Sequence, residues 1–170
     1  MTHRRINMEA VGMHDTSIDF RGAKGPVTYI DPESGECKVL VYRRDQHPKY
    51  YAECLDLLGG RRDQLPDGTW ESPYQTFSRE VGEEANLVIE PSNILYCCAY
   101  DLDGLDGLDD QPGRRGAFLV GRVATLHGMG IGNEGRDLRT MSVSEYIERS
   151  DAWPAFQQLT AQYFEGDYRN

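Results

Sequence analysis

The sequence predicts an α+β fold in which a mixed sheet is covered by helices on both faces. Strand-like segments rich in β-branched and aromatic residues recur through the first third of the chain. One strongly signalled helix interrupts them near the middle, and more strand-like segments precede a helical C-terminal region. With 170 residues, the chain is most simply one domain spanning residues 1–170, long enough to bury a sizeable core.

The first elements are short strands. Residues 1–24 carry little periodicity, so they are either a short strand or an N-terminal arm that packs on a partner subunit. Residues 26–30 (PVTYI) and 37–43 (CKVLVYR) predict the two strands of a hairpin, joined by the turn sequence DPESGE. Residues 51–58 (YAECLDLL) predict a third strand, in which Glu53 and Asp56 are interpreted as outward-facing surface residues.

The central helix has clear signals at both ends. Ser72 is placed to cap the first turn, Pro73 fits the first helical position, and Gln75 completes a capping box. The helix is expected to run to about Asn86, a residue type that tolerates the left-handed conformation of a C-terminal cap. Phe77 and Val81 form an apolar stripe that fixes its orientation on a core.

Strand and helix signals continue after this helix. The segment from residue 101 to 117 is acidic and glycine-rich but lacks the EF-hand spacing, so we interpret it as a flexible loop over the site rather than a calcium loop. The remaining segments are typical of strands at 87–89, 94–100 and 117–126, then of a short helix at 144–149 and a longer one at 153–164.

Composition excludes some classes of function. The formal net charge of −10 argues against binding along a nucleic-acid backbone, though not against a small phosphorylated substrate. No apolar run reaches the length of a membrane span, and the first residues lack the apolar centre of a signal peptide, so a cytoplasmic location is expected. The four cysteines, Cys37, Cys54, Cys97 and Cys98, have no zinc-site spacing and are expected to be packing residues or free thiols.

Three glutamates share one stripe of the central helix. Glu80, Glu83 and Glu84 lie within about one third of its circumference, where their mutual repulsion lowers helix stability. A solvated acidic face is the ordinary meaning of such a cluster. A hard divalent cation reverses the sign of the effect, because it prefers carboxylate oxygen and bridges to phosphate.

The spacing around these glutamates favours the metal hypothesis. From Glu71 onward the chain has the pattern E-x7-R-E-V-x-E-E, in which Arg79 directly precedes Glu80. This pattern resembles the signature of the Nudix hydrolases, G-x5-E-x7-R-E-U-x-E-E-x-G-U, where U is a bulky aliphatic residue. The chain departs from it in two places, with ten residues instead of five between the double glycine and Glu71, and with Asn86 where the family has glycine.

The resemblance implies a fold, a cofactor and a site. The fold is an α/β/α sandwich with a mixed sheet and a metal-binding loop-helix-loop. The cofactor is Mg²⁺, for which Mn²⁺ substitutes, and a homodimer is also expected for members acting on ADP-ribose. The metal ligands would be Glu80, Glu83, Glu84 and the backbone carbonyl of Gly60, with Arg79 bracing Glu71 and Glu83.

The same resemblance implies a reaction. The substrate would be a small nucleotide, a nucleoside diphosphate linked to another group, and water would be the nucleophile. Glu134 is the candidate general base and Glu80 the alternative. Arg61, Arg62, Arg114 and Arg115 are candidate contacts to phosphate or ribose.

Substrate preference follows from a weaker part of the resemblance. Pro112-Gly113, followed by Glu134, Asp137 and Leu138, is similar to the ADP-ribose pyrophosphatase type, in which a loop with two acidic residues leads into a strand and a helix. Dinucleoside polyphosphates and nucleoside triphosphates are the alternative substrates. The rival class is a non-catalytic Nudix domain that senses a nucleotide, disfavoured because no carboxylate of the motif is missing.

Overall fold

The computed structural model describes residues 4–45, 52–105, 114–130 and 136–166. Within these ranges the chain forms nine strands, one 3₁₀ turn at Pro91–Asn93, and three α-helices. The strands are β1 (Met8–Ala10), β2 (Gly22–Gly25), β3 (Val27–Ile30), β4 (Cys37–Arg43), β5 (Leu55–Asp56), β6 (Leu58–Arg61), β7 (Ile94–Asp101), β8 (Arg115–Arg122) and β9 (Arg136–Ser142). The helices are α1 (Pro73–Ala85), α2 (Val143–Glu148) and α3 (Pro154–Glu165).

The strands form one mixed sheet. Its main path runs β1-β7-β8-β3-β4-β5, and β9 pairs with β4 beside this path. Strand β8 is parallel to both β2 and β3, which contact successive parts of its length, whereas the other pairings are antiparallel. Strand β2 also pairs with β6, with Ala23 opposite Gly60. This pairing places the double glycine next to the centre of the sheet.

Helices cover both faces of the sheet, as the sequence predicts. On one face, α1 contributes Phe77, Val81 and Ala85 to a core that includes Leu58 and Leu119. On the other face, helices α2 and α3 pack on a second core; its members include Val39, Leu57, Phe118, Tyr146, Phe156 and Leu159. The architecture is therefore an α/β/α sandwich, and the predicted α+β class is confirmed.

The predicted third strand is wrong in extent. Residues 52–53 form a turn in which Glu53 has a positive φ of 63°, so extended structure begins only at Leu55. Strands β5 and β6 are separate because they have different partners: β5 pairs with β4 and β6 pairs with β2. The expected outward position of Asp56 is also wrong, since its side chain is fully buried.

Two later strand predictions need correction. Residues 87–89 pair with no strand, although Leu87 and Ile89 are buried and Val88 is 76% exposed, an alternation that imitates a strand. Strand β8 begins at Arg115 and ends at Arg122, so the predicted strand over 117–126 starts and ends too late. The hairpin strands, β7 and both C-terminal helices lie close to their predicted positions.

The N-terminal residues belong to the same sheet. Strand β1 pairs with β7, and β2 lies between β6 and β8. Ile6 is buried, and its backbone exchanges two hydrogen bonds with the Gln162 side chain of α3. Of the two hypotheses for this region, strand structure is what the described residues form.

All four cysteines are free, and Cys97 and Cys98 face opposite cores. Across the described ranges, every helix is too short or too polar to cross a membrane.

Candidate active site

Helix α1 presents the three glutamates of the motif to different environments. Its capping box is formed as predicted: Ser72 accepts a hydrogen bond from the Gln75 amide, and Gln75 bonds back to the Ser72 amide. Because Phe77 and Val81 are fully buried, the helix cannot rotate, and the exposure of each carboxylate is fixed. Glu84 is buried, the Glu80 side chain is 15% exposed, and the Glu83 side chain is 58% exposed.

Glu84 reaches under the double glycine. Its Oε1 atom accepts a hydrogen bond of 2.8 Å from the amide of Gly59, and the Tyr42 hydroxyl also bonds to it. Burial raises the pKa of Glu84 to about 7, although Lys24 and the two hydrogen bonds favour the ionised form. Hydrogen bonds to β4 and β6 thus hold this carboxylate in place, away from most of the solvent.

Glu80 lies directly against Gly60. A Cβ atom built on Gly60 would be 2.5 to 2.7 Å from the carboxylate atoms of Glu80, closer than real side chains approach. A side chain at this position would therefore displace the Glu80 carboxylate from its place beside the strand. The Gly60 carbonyl oxygen lies beside Gly22 of β2, so the predicted role of that carbonyl as a metal ligand stays a prediction.

Arg79 holds the site together. Its guanidinium makes a two-pronged contact with Glu71, at 2.9 Å and 3.0 Å, and donates to the carbonyl of Arg61 at 2.7 Å. Its Nη1 atom also donates to Glu80 at 2.9 Å and to Glu83 at 3.2 Å. The pKa of Arg79 is raised, mainly by the hydrogen bonds that it donates to Glu71. One cation thus links the strand, the loop and the helix.

Glu71 is the buried partner of this arginine. Burial disfavours its ionised form, but hydrogen bonds from Arg79, the Asp63 amide and Thr76 outweigh that effect and lower its pKa. Its ionised carboxylate therefore fixes the start of α1 relative to the loop. The Arg79–Glu71 contact is therefore present, and the supporting role that the resemblance implies for Glu71 stays a prediction.

The lengthened loop before Glu71 is ordered. Gln64 and Trp70 form an antiparallel bridge, and Leu65 and Thr69 are joined by a backbone hydrogen bond of 2.7 Å around a turn that contains Gly68. The amide of Glu71 also bonds to the carbonyl of Asp63. The extra residues thus form a small hairpin whose two ends meet at Asp63 and Glu71.

The four candidate substrate arginines lie at one end of three neighbouring strands. Arg61 ends β6, Arg62 follows it, and Arg115 begins β8; the backbone of Arg21 bonds to both Arg62 and Arg115. The Arg61 side chain is exposed. The roles predicted for these residues in substrate binding stay predictions.

Three of these arginines contact protein groups. Arg62 stacks on Phe20 at 4.2 Å and donates to the carbonyls of Thr16 and Glu71. Arg115 forms an ion pair with Glu9 at 2.7 Å. Arg114 lies 3.8 Å from Asp19.

Other predicted features lie outside the described residues. Glu134, the candidate base, and Pro112-Gly113 are among them, as is most of the acidic loop, residues 106–113. Asp137 and Leu138, which the resemblance groups with Glu134, are described and lie in β9.

The donor set fits a hard divalent cation only in part. No group of three or more acidic, histidine or cysteine side chains within the described ranges is arranged to hold an ion. In this arrangement Arg79 bridges Glu80 and Glu83. The donors are nonetheless carboxylate oxygens, which hard divalent cations prefer, and those of Glu80 and Glu84 lie beside the backbone of the double glycine.

The residues of the sheet that act on Glu84 were not predicted from the sequence. Tyr42 contacts this carboxylate from β4, and Lys24 attracts it from β2. Lys24 itself contacts the buried Asp56. The available signal was Asp56, an acidic residue within the apolar run LDLL, which is unusual for a surface position on a short strand.

A separate groove of about 460 Å³ lies elsewhere on the molecule. It is bordered by the β3–β4 hairpin, the end of β8 and helices α2 and α3, and its lining includes Cys37, Leu95, Arg122 and Tyr163. It contains none of the residues predicted for the site. We therefore place the candidate site at the carboxylates of α1, where the chemical groups converge.

Known structures share this fold. A Nudix hydrolase from M. smegmatis, RenU, superposes with a TM-score of 0.64 at 17% identity, over 86% of this chain and 84% of that one. The Nudix domain of NrtR from Shewanella oneidensis, solved with ADP ribose, gives 0.61 at 18% identity over 88% of both chains. An Ap4A hydrolase from C. elegans gives 0.57 at 13% identity, over 86% and 99%.

Sequence comparison adds nothing further. Neither a family model nor a curated protein matches the chain. The chain nevertheless has the Nudix fold, and the family resemblance drawn from its central motif is confirmed at the level of the fold.

Proposed function

We propose that the protein is a magnesium-dependent Nudix hydrolase that cleaves the diphosphate linkage of a nucleoside diphosphate derivative. The observation that carries the proposal is the meeting of Glu80 and Glu84 with the double glycine. Glu84 is fixed by the Gly59 amide, and Glu80 fills the space that the absent side chain of Gly60 leaves. A buried Glu84 next to a Glu80 that is only 15% exposed is unusual for a solvated helix face.

Each side chain has a defined task in this proposal. Glu80, Glu83, Glu84 and the Gly60 carbonyl would hold Mg²⁺. Mn²⁺ would substitute for this ion. When bound, the ion neutralises the diphosphate and lowers the barrier to attack by water. Arg79 keeps the carboxylates and the loop in register through Glu71 and the Arg61 carbonyl. Arg61 extends into solvent beside this site, where it can contact phosphate.

The general base is assigned to Glu134, with Glu80 as the alternative. A base must come within hydrogen-bond reach of the attacking water, and a loop residue can do so when substrate closes the loop. Glu80 is already at the site, where it accepts a hydrogen bond of 2.9 Å from Arg79. The pH dependence of kcat in the Glu134→Gln variant distinguishes the two candidates. A profile unchanged from the wild type would assign the role of general base to Glu80.

The favoured substrates are ADP-ribose and nucleotide sugars. Support comes from the NrtR domain solved with ADP ribose and from a bifunctional ADP ribose pyrophosphatase of Francisella tularensis, which has a TM-score of 0.59. The Ap4A hydrolase fold supports dinucleoside polyphosphates as the alternative, together with nucleoside triphosphates. A homodimer and a cytoplasmic location belong to the same proposal.

The test is a hydrolysis screen with and without Mg²⁺ over nucleoside diphosphate compounds, with the products identified. Glu84→Gln should keep the fold and reduce kcat by about a hundredfold or more, because it removes a charged ligand without changing shape. Glu90→Gln is the matched control, since Glu90 is exposed and makes no side-chain capping bond. Wild-type rates in Glu84→Gln would refute the metal assignment.

A nucleotide-sensing domain is the second candidate. It predicts tight binding of a nucleotide with no Mg²⁺-dependent turnover of any compound in the screen. The same purified protein therefore separates the two functions, with calorimetric binding as the second measurement.

A further inference from the structure

A buried group of charges lies behind the glutamates, on the side of the sheet covered by α3. The Asp56 carboxylate is fully buried and contacts the ammonium group of Lys24, and it accepts a bond of 2.9 Å from Arg44. Aromatic rings surround the two cations: the Lys24 nitrogen is 5.2 Å from the Phe156 ring, and the Arg44 guanidinium is 4.9 Å from the Trp153 ring. Little water reaches these charges.

The three groups carry an excess positive charge. Two cations share one carboxylate, and their side chains are 12% (Lys24) and 19% (Arg44) exposed. Glu84 is a second buried carboxylate, and the charge of Lys24 favours its ionised form. Lys24 therefore interacts with both Asp56 and Glu84, which links this group of charges to the glutamate stripe of α1.

The backbone of Lys24 lies next to the double glycine of the candidate site. Lys24 pairs with Gly59 across β2 and β6. A Cβ atom on Gly59 would lie 2.4 Å from the Lys24 Cα atom and 2.2 Å from the Ala23 carbonyl oxygen, and Gly59 has a positive φ of 144°. Any change in the separation of β2 and β6 therefore moves the Gly59 amide, which is the donor that fixes Glu84.

We propose that the Lys24–Asp56 ion pair is a clamp that holds β2 against the β5–β6 segment and thereby positions Gly59 and Glu84. Asp56 is the last residue of β5 and lies three residues before Gly59, so the pair spans the two strands at the point where the chain changes partners. Lys24 is a positioning residue in this inference, since its ammonium group contacts Asp56. Its effect on metal binding rests on the proposed function.

Charge repulsion and the clamp predict opposite effects of removing Lys24 on the affinity for a metal ion. A lysine near a cation site repels the cation, so its removal from an unchanged site would tighten binding. Loss of a clamp would instead weaken binding, because residues that orient metal ligands from behind contribute about 10- to 100-fold to affinity. The sign of the change therefore separates positioning from simple repulsion.

The first experiment measures Mn²⁺ binding by electron paramagnetic resonance in Lys24→Met. We expect binding about tenfold weaker than in the wild type. Lys38→Met is the matched control, because Lys38 makes a similar cross-strand ion pair with Asp31, at 3.3 Å, away from the site. Unchanged or tighter binding in Lys24→Met would overturn the clamp.

A second readout needs no metal. Hydrogen exchange of the Gly59 amide, followed by NMR in EDTA, should be faster in Lys24→Met than in Lys38→Met, while amides in β7 and β8 keep their protection. Unchanged Gly59 protection would refute the clamp. If the wild type binds no Mn²⁺ but Gly59 protection still falls, the metal proposal fails and the clamp stands.

The third variant covers the case in which Lys24→Met does not fold. Lys24→Gln keeps a hydrogen-bond donor for Asp56 and removes the charge, so it disturbs the core less. It should show the same direction of change in both measurements, with a smaller amplitude. Wild-type values of Gly59 protection and Mn²⁺ affinity in a folded Lys24→Gln protein would contradict the proposal.

Discussion

At the scale of single residues, Glu84 makes the stability of the metal-free protein depend on pH. Its pKa is about 7 in the folded protein and 4.5 in an unperturbed glutamate. Below pH 4.5 the group is neutral in both the folded and the unfolded chain, so its burial has no ionic cost. As the pH rises towards 7, the unfolded chain ionises first, and the free energy of unfolding falls.

The expected loss is at most about 3 kcal/mol between these two pH values. Urea unfolding in EDTA at pH 5 and pH 8 measures it, with Glu84→Gln as the reference because that variant cannot ionise at this position. The free energy of unfolding of the wild type, relative to that of Glu84→Gln, should be higher at pH 5 than at pH 8. Equal pH dependence in both would show that Glu84 is ionised throughout.

The sequence predicts some residues of the site but not others. Arg79 and the glutamates follow from spacing along one helix, because neighbours on a helix are fixed by its period. Lys24 and Asp56 are 32 positions apart, and nothing local indicates that they meet. Long-range ion pairs of this kind depend on the register of the sheet, which the sequence of either strand does not specify.

At the scale of elements, the end of α1 depends on a left-handed residue. Asn86 has φ 53° and ψ 42°, and its amide bonds to Gly82 of the last turn. Asn86→Ala should lower the free energy of unfolding by about 1 kcal/mol more than Asn86→Gly, because alanine is disfavoured in this conformation and glycine is not.

Comparison of these two variants removes another effect. Both lose the contact of the Asn86 side chain with the Gly128 carbonyl, so that contact cancels in the difference. Thermal unfolding monitored by circular dichroism gives the two values. Equal midpoints would mean that the helix end rearranges when the residue is changed.

Helix α1 was predictable to within a residue, whereas several strands were not. Its caps are local signals, read from residues three or four positions apart. Strand β9 (RDLRTMS) has little apolar alternation and forms because β4 offers it a partner. Residues 87–89 show the converse, since their alternation serves packing without a strand partner. Partner choice across the sheet is the part that local patterns leave open.

At the scale of the whole molecule, the N-terminal segment stabilises the domain. Ile6 is 6% exposed, and its backbone bonds to α3, while β1 pairs with β7. Ile6→Ala should lower the free energy of unfolding by about 2–4 kcal/mol, the usual cost of truncating a buried aliphatic side chain. Urea titration checks this value.

Val88→Ala is the matched control for that measurement. Val88 is 76% exposed, so its truncation should change the free energy of unfolding by less than about 0.5 kcal/mol. Equal effects from the two substitutions would show that residues 4–10 detach from the sheet in solution.

The contact between Arg79 and the Arg61 carbonyl has a consequence beyond the site. Among the described strands, β6 pairs only with β2; its other side is covered by Glu84 at Gly59 but has no strand partner at Arg61. Such an edge invites pairing with a second molecule. The guanidinium occupies a backbone acceptor on β6 at 2.7 Å, and the loop hairpin begins two residues later. The arginine that contacts the glutamates thus also occupies this edge, and we expect Arg79→Ala to expose it and to make the protein self-associate more readily, which light scattering would measure.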